Sequence, residues 1–354
     1  MDHGMTSGQP VAVDQTESAS GVEIAGRRRR ARRVRAIIAV AICVVVVIGI
    51  SAAITAAKLS SAPKFPIHRT QYVRYLGDHE PNAPGKYTGI EQFAQQVGMQ
   101  PNLVSYYENW LVPFQPKFAA MAEEHGALTL AEMDPLNISL ASIAAGRYDS
   151  YLKSYAHAVR AFGSPVVVSF GHEMNGNWYS WGSPQTSPPV FVKAWRHIVT
   201  VFREAGATNV IWLWTVNVVN PSIPIPSPSP WWPGSSYVTW VGIDGYFYLQ
   251  SQSFAQLFGP TIVDVRGLTS DPILIAETGA VSSTNQASKI NEIFAGIRTY
   301  GLLGFVWFDE NTQGRAWRID SPAAFAAFRR DASEFVRPPA RTTPASPSSA
   351  VSSP

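Results

Sequence analysis

The sequence has almost no cysteine. The single one, Cys43, lies inside an apolar run, so neither an internal disulfide nor a cysteine-built metal cage is available. Charge is scarce too, at 15% of 354 residues, and the net +3 is misleading because seven arginines crowd into residues 27–35. The remainder is mildly acidic, which excludes a basic nucleic-acid face and, with it, a nucleic-acid partner. No glycine-rich phosphate loop follows an early strand, so the usual signature of a doubly wound nucleotide-binding sheet is missing. No His-Glu-x-x-His and no closely spaced Asp-x-Asp occurs, so no catalytic metal is expected and no cofactor is called for. No internal repeat is visible.

What the chain does have is apolar mass: 46% hydrophobic residues, 12% aromatic, with 11 tryptophans. Either a large core or flat surfaces that stack on sugar rings could absorb that surplus. Residues 1–35 are polar and then basic, ending in the arginine run, and read as a disordered cytoplasmic tail. The uncharged stretch 36–57 is 22 residues long, enough at ~1.5 Å per residue to cross ~30 Å of hydrocarbon. It is longer than the apolar core of a cleaved signal peptide, and its arginine flank would stay in the cytoplasm. The expectation is a single-pass membrane anchor with everything after Lys58 outside the cell. Cleavage after the Ala-rich end of the run would instead release a secreted protein. Residues 58–66 form a linker, and the Pro/Ser/Thr-rich segment 338–354 is a disordered tail.

The window 67–337 has the size of one (β/α)8 barrel. Within it, short β-branched or aromatic runs fall at Gln71–Leu76, Leu103–Tyr107, Leu128–Glu132, Pro165–Phe170, Val210–Trp214, Val241–Tyr246, Ile273–Ala276 and Gly304–Phe308. Amphipathic stretches lie among them at Tyr148–Phe162, Val190–Ala205, Ser288–Tyr300 and Ala323–Val336. Eight strands alternating with helices predict a parallel α/β sheet closed into a TIM barrel, here monomeric.

In such a barrel, function sits at the C-terminal ends of the strands. These positions are acidic: Asp78, Glu108, Glu132, Asp134, Glu173, Asp244, Glu277, Asp309 and Glu310. Such a ring suits cleavage of glycosidic bonds or binding of a hard cation. The densest motif is Ser169-Phe-Gly-His-Glu-Met-Asn-Gly-Asn-Trp-Tyr-Ser-Trp-Gly182, which follows the fourth strand. It delivers His172 and Glu173 to the barrel mouth, with the Asn175 amide for sugar hydroxyls and Trp178, Tyr179 and Trp181 as stacking faces. The seventh strand ends in Ala276-Glu-Thr-Gly279, three strands on, which places Glu277 to face Glu173. Trp214 and Asn217 end the fifth strand and either extend the cleft or pack beneath it.

These two motifs resemble the acid/base and nucleophile segments of glycoside hydrolase family 26, whose acid/base Glu follows a His, as Glu173 follows His172. The resemblance spans roughly residues 70–330. It implies a retaining glycosidase acting on a β-linked polysaccharide or oligosaccharide, with Glu173 as acid/base and Glu277 as nucleophile. β-Mannan is implied first, with β-glucan and β-xylan as alternatives. It further implies that Tyr246 hydrogen-bonds the nucleophile and that Trp307 floors the subsite of bond cleavage, for which the alternative is core packing. One departure is Ser169, where the family usually has Arg; another is the proline-rich loop at 219–233. Two other readings stay open: a membrane-anchored polysaccharide-binding protein without catalysis, and a transglycosylase using the same carboxylates.

Overall fold

The computed structural model describes residues 74–219, 225–312 and 314–335. The anchor expected at 36–57, the two tails and the linker lie outside the described residues. Among the described residues no helix is long and apolar enough to cross a membrane.

Eight parallel strands close on themselves in sequence order, each hydrogen-bonded to the next and β8 to β1. They are β1 (Tyr75–His79), β2 (Leu103–Asn109), β3 (Leu128–Asp134), β4 (Val166–Phe170), β5 (Val210–Asn217), β6 (Trp240–Phe247), β7 (Ile273–Ala280) and β8 (Gly304–Phe308). Every strand expected from the sequence is present. β1 begins at Tyr75, which pairs with Gly304 to close the barrel, and residues 71–73 of its expected run lie outside the described residues. A short antiparallel hairpin, β9 (Asn311–Thr312) and β10 (Arg315–Ala316), follows β8.

The helices wrap the outside: α1 (Thr88–Val97), α2 (Pro116–Glu124), α3 (Leu140–Ala144), α4 (Asp149–Phe162), α5 (Pro188–Glu204), α6 (Phe254–Arg266), α7 (Gln286–Tyr300) and α8 (Pro322–Phe335). Their ends follow local chemistry. α5 starts on prolines after an extended Ser187. α6 has a capping box, with Ser253 and Gln256 satisfying each other's backbone N–H. α7 is capped by Asn285 and stops at Gly301, whose φ of +62° few other residues adopt without cost.

Strand pleating divides the core into two. Leu103, Leu130, Val167, Leu213, Leu274, Ala276 and Val306 fill the barrel's interior. Residues one step along, such as Trp212, Trp214, Val216, Phe305 and Trp307, face outward into the larger layer shared with the helices. Above the apolar plug, Ser169 and Thr215 meet through their hydroxyls at 3.2 Å inside the barrel. The interior is therefore a packed plug rather than a pore, and side chains at its upper end are aimed toward the mouth.

Candidate active site

Glu277 reaches the mouth through an irregularity. Strict alternation after Leu274 and Ala276, both inward, would turn Glu277 toward the helices. The ladders on both sides of β7 shift by one residue here: Gly242 opposes Leu274 and Asp244 opposes Glu277, while Ile275 opposes Phe305 and Thr278 opposes Trp307. One extra residue in β7 forms a bulge that resets the parity and points Glu277 inward. There Tyr107 of β2 donates its hydroxyl to Oε1 and Tyr246 of β6 donates to Oε2. Burial, followed by the charge of Glu277, pushes both hydroxyls well above the usual tyrosine range, so they act as neutral donors.

Glu173 sits on the loop after β4 with a φ of +54°, a left-handed conformation uncommon for a residue with a Cβ. Such a backbone costs of order 1–3 kcal/mol and persists where its surroundings over-determine it. Its N–H donates to the Thr215 carbonyl at 3.0 Å. Its Oε1 accepts from the Asn217 amide, and its Oε2 from the Trp178 indole N–H at 2.6 Å. Burial and then the charge of Glu277 raise its pKa to about 7, opposed by His172, Asn217 and Trp178. The two glutamates thus lie within electrostatic reach in one buried mouth.

His172 is buried, with Nδ1 on Asp134 and Nε2 on the Tyr179 hydroxyl, each at 3.0 Å. Burial works against its cationic form, but Tyr179, Asp134 and Glu277 outweigh it and hold its pKa well above the ordinary value. Its cationic form is thereby favoured, and both its nitrogens are engaged within the protein. Tyr179 stacks on Trp181 at 4.3 Å, and Trp181 donates its indole N–H to the His172 carbonyl at 2.7 Å. Trp181 is therefore a prop under the loop, not a stacking face as expected.

Three more expectations are corrected. Asn175 is buried and its amide is spent on backbone: it donates to the carbonyls of Asn217 at 2.9 Å and Pro226 at 3.3 Å, and accepts the Asn217 N–H at 2.9 Å. It clamps Asn217 rather than a sugar. Trp214 faces outward and is buried edge-on against Trp232 at 5.0 Å. Trp307, wholly buried, points out of β8 toward Phe328 of α8. The inward neighbour is Phe308, which stacks on His79 at 4.8 Å and meets Tyr246 edge-on at 5.7 Å. Of the aromatic residues read from the sequence as substrate contacts, Trp178 is 44% exposed and Tyr246 half-buried at Glu277.

The acidic ring likewise divides. Asp78 and Glu108 face the helices, Glu108 accepting from Tyr155 of α4. Burial raises Glu108 to about 8 despite that bond, and raises Asp78 well above its usual range. Glu132 and Asp244 line the interior below the mouth, where burial pushes Glu132 to about 8 and Asp244 well up. At the β1–β8 rim, Glu80 pairs with Arg318 at 2.8 Å and His79 with Glu310 at 3.6 Å. Among the described residues no set of His, Cys, Asp and Glu is placed to hold a metal ion.

Sequence reasoning missed Tyr107, Asp134 as the partner of His172, the second role of Asn217, and the pair Phe308 and Trp317. Trp317, brought by the hairpin after β8, lies 4.6 Å from Tyr246. Strand parity carried the signal for Tyr107 and Phe308, since each is an even step from an inward leucine or valine. Trp317 had none, because it depends on where the hairpin folds.

A parallel eight-stranded barrel whose fourth and seventh strands deliver two buried glutamates to one mouth defines the class of barrel glycoside hydrolases. Residues 114–303 match Glycosyl hydrolase family 26, more than half of the chain, and the chain belongs to that family. It is 32% identical over 259 residues to Endoglucanase H of Acetivibrio thermocellus, covering 68% of this chain and 28% of that protein. A shorter likeness, 32% over 82 residues, joins it to Mannan endo-1,4-beta-mannosidase A and B of Caldalkalibacillus mannanilyticus, covering 21% of this chain and 15% of the relative. The chain thus spans under a third of either relative's length. The barrel is similar to a Cellulomonas fimi endo-beta-1,4-mannanase double mutant, with TM-score 0.60, 16% identity, and 75% and 72% of the two chains covered. It also resembles a GH26 beta-mannanase from Bacteroides ovatus, with TM-score 0.57, 15% identity, and 78% and 91% covered. That family is, by its description, one of glycosyl hydrolases.

Proposed function

We propose that the enzyme hydrolyses a β-linked polysaccharide with retention, Glu173 serving as acid/base and Glu277 as nucleophile. The observation that carries this reading is the unlike environment of the two carboxylates. Glu277 receives two hydroxyls that donate to its oxygens, an arrangement suited to a charged acceptor. Glu173, raised to about 7, can hold a proton near neutral pH and release it later. A Glu277 oxygen attacks the anomeric carbon as the glycosidic C–O bond breaks, and the leaving oxygen takes the Glu173 proton. Water then adds to the anomeric carbon, Glu173 accepts its proton, and the sugar–Glu277 ester bond breaks.

For substrate, the family resemblance supports a β-mannan first. The longer likeness to an endoglucanase favours β-glucan as the second reading. Initial rates on β-mannan, mixed-linkage β-glucan and β-xylan discriminate between them.

The roles are tested with azide, which needs no base. On a dinitrophenyl β-glycoside, Glu173→Ala should accumulate glycosyl-enzyme and yield β-glycosyl azide, while Glu277→Ala should yield the α-azide by attack on the open face. Natural polysaccharide should be cleaved ~10²–10⁴-fold more slowly by Glu173→Ala. Azides of the opposite configuration would reverse the assignment, and full activity in both variants would remove the site.

A further inference from the structure

Both oxygens of Glu173 accept from nitrogens, Oε1 from Asn217 and Oε2 from Trp178. An amide can turn to offer its own oxygen, but an indole has only its N–H to present. A proton on Oε2 would therefore face a second hydrogen. Trp178, the partner of Oε2, is 44% exposed. A sugar oxygen taking a proton from Oε2 would come to the place the indole holds.

The indole is packed on its own loop. It folds back over Gly176, where a Cβ would lie 2.3 Å from the ring. Its ring meets Tyr179 only edge-on at 6.4 Å, unlike the close stack of Tyr179 on Trp181 at 4.3 Å. Glycine at 176 thus permits a ring position that any other residue would block.

We propose that the Trp178 indole N–H keeps the proton off Oε2 and biases Glu173 toward its base form in the free enzyme, and that the sugar on the leaving-group side draws the ring off Oε2, which then carries the proton to be delivered. This rests on the acid/base reading given above and makes Trp178 a positioning residue for the acid as well as a surface for the sugar. The proton balance closes over the cycle: one proton enters Glu173 from bulk water as the indole leaves and departs on the glycosidic oxygen, and the proton that Glu173 later takes from the attacking water returns to bulk as the indole comes back. The returning indole then stabilises the carboxylate. The other charged and titratable groups facing Glu173 are Glu277 of β7, His172, Tyr179 of the β4 loop, Asp244 and Tyr246 of β6, and Tyr248 beyond it.

The test is the pH dependence of Trp178→Phe, which keeps a ring for the sugar and removes the donor, on a soluble β-oligosaccharide that the wild type cleaves. The alkaline limb of kcat/KM reports the free enzyme and that of kcat the complex. The kcat/KM limb should rise by about one pH unit, the equivalent of one hydrogen bond to a charged group. The kcat limb should stay. Gly176→Ala, which keeps the indole but takes its seat, should move the same limb in the same direction. A kcat/KM limb unmoved in Trp178→Phe overturns the proposal. So does an equal rise in both limbs, because the indole would then still be bonded in the complex. Glu173→Gln separates this failure from that of the underlying reading: there the wild-type alkaline limb should vanish with turnover, and an intact limb would sink the acid/base assignment itself.

Discussion

Replacing Asn175 by alanine puts the barrel's own account of that residue against the one its motif suggests. Read as a motif, Asn175 offers an amide to sugar hydroxyls, so its loss should raise KM and leave stability alone. In the fold its amide makes three hydrogen bonds to backbone, two with Asn217 and one with Pro226. At about 1 kcal/mol net for each, Asn175→Ala should destabilise the domain by about 3 kcal/mol. For a barrel of this size that corresponds to a fall in Tm of roughly 6–12 °C. Activity should suffer through kcat, because the backbone of Asn217 is released and its amide no longer meets Glu173 reliably. Thermal unfolding and steady-state kinetics on one preparation decide the matter. An unchanged Tm together with a rise confined to KM would refute the clamp and restore the sugar contact.

Two further expectations concern residues that face away from the mouth. Trp307→Phe should leave KM within about twofold of wild type, whereas Trp307→Ala should cost on the order of 3–5 kcal/mol in denaturant unfolding by emptying the space against α8. A large KM change in Trp307→Phe with stability preserved would return Trp307 to the cleft. Glu108, raised to about 8 in the fold, is protonated there over a pH range in which the unfolded chain has already released that proton. Its stabilising contribution is complete below about pH 4 and is lost as pH rises toward 8, so Glu108→Gln should flatten the decline of stability across that window. A variant whose stability falls with pH as steeply as the wild type would show that Glu108 is not responsible.

The order of eight strands and the two carboxylate-bearing segments were legible because each rests on local information. An apolar β-branched run such as Val166-Val167-Val168 is buried on both faces wherever a parallel sheet forms, and a Glu at the end of such a run falls at the mouth by topology alone. What the chain could not declare was facing. β7 carries a bulge that no residue pattern announces, since Ile273-Leu-Ile-Ala reads as continuous strand. Only the ladders to β6 and β8 reveal the extra residue that turns Glu277 inward. On β8, ordinary alternation from the inward Val306 turns Trp307 outward and Phe308 inward, so the most conspicuous aromatic of β8 became core.

Composition and pattern by themselves determined the barrel, the absence of cysteine chemistry, and the acid-rich mouth, because burial and alternation act on neighbours along the chain. Tertiary structure alone decided which donors meet which carboxylate. Tyr107 and Glu277 are 170 residues apart, and Asn217 and Glu173 are 44 apart. Such partners are chosen by how strands are staggered around a closed barrel. That stagger is set collectively by every pair of neighbouring strands, so no segment holds the information alone.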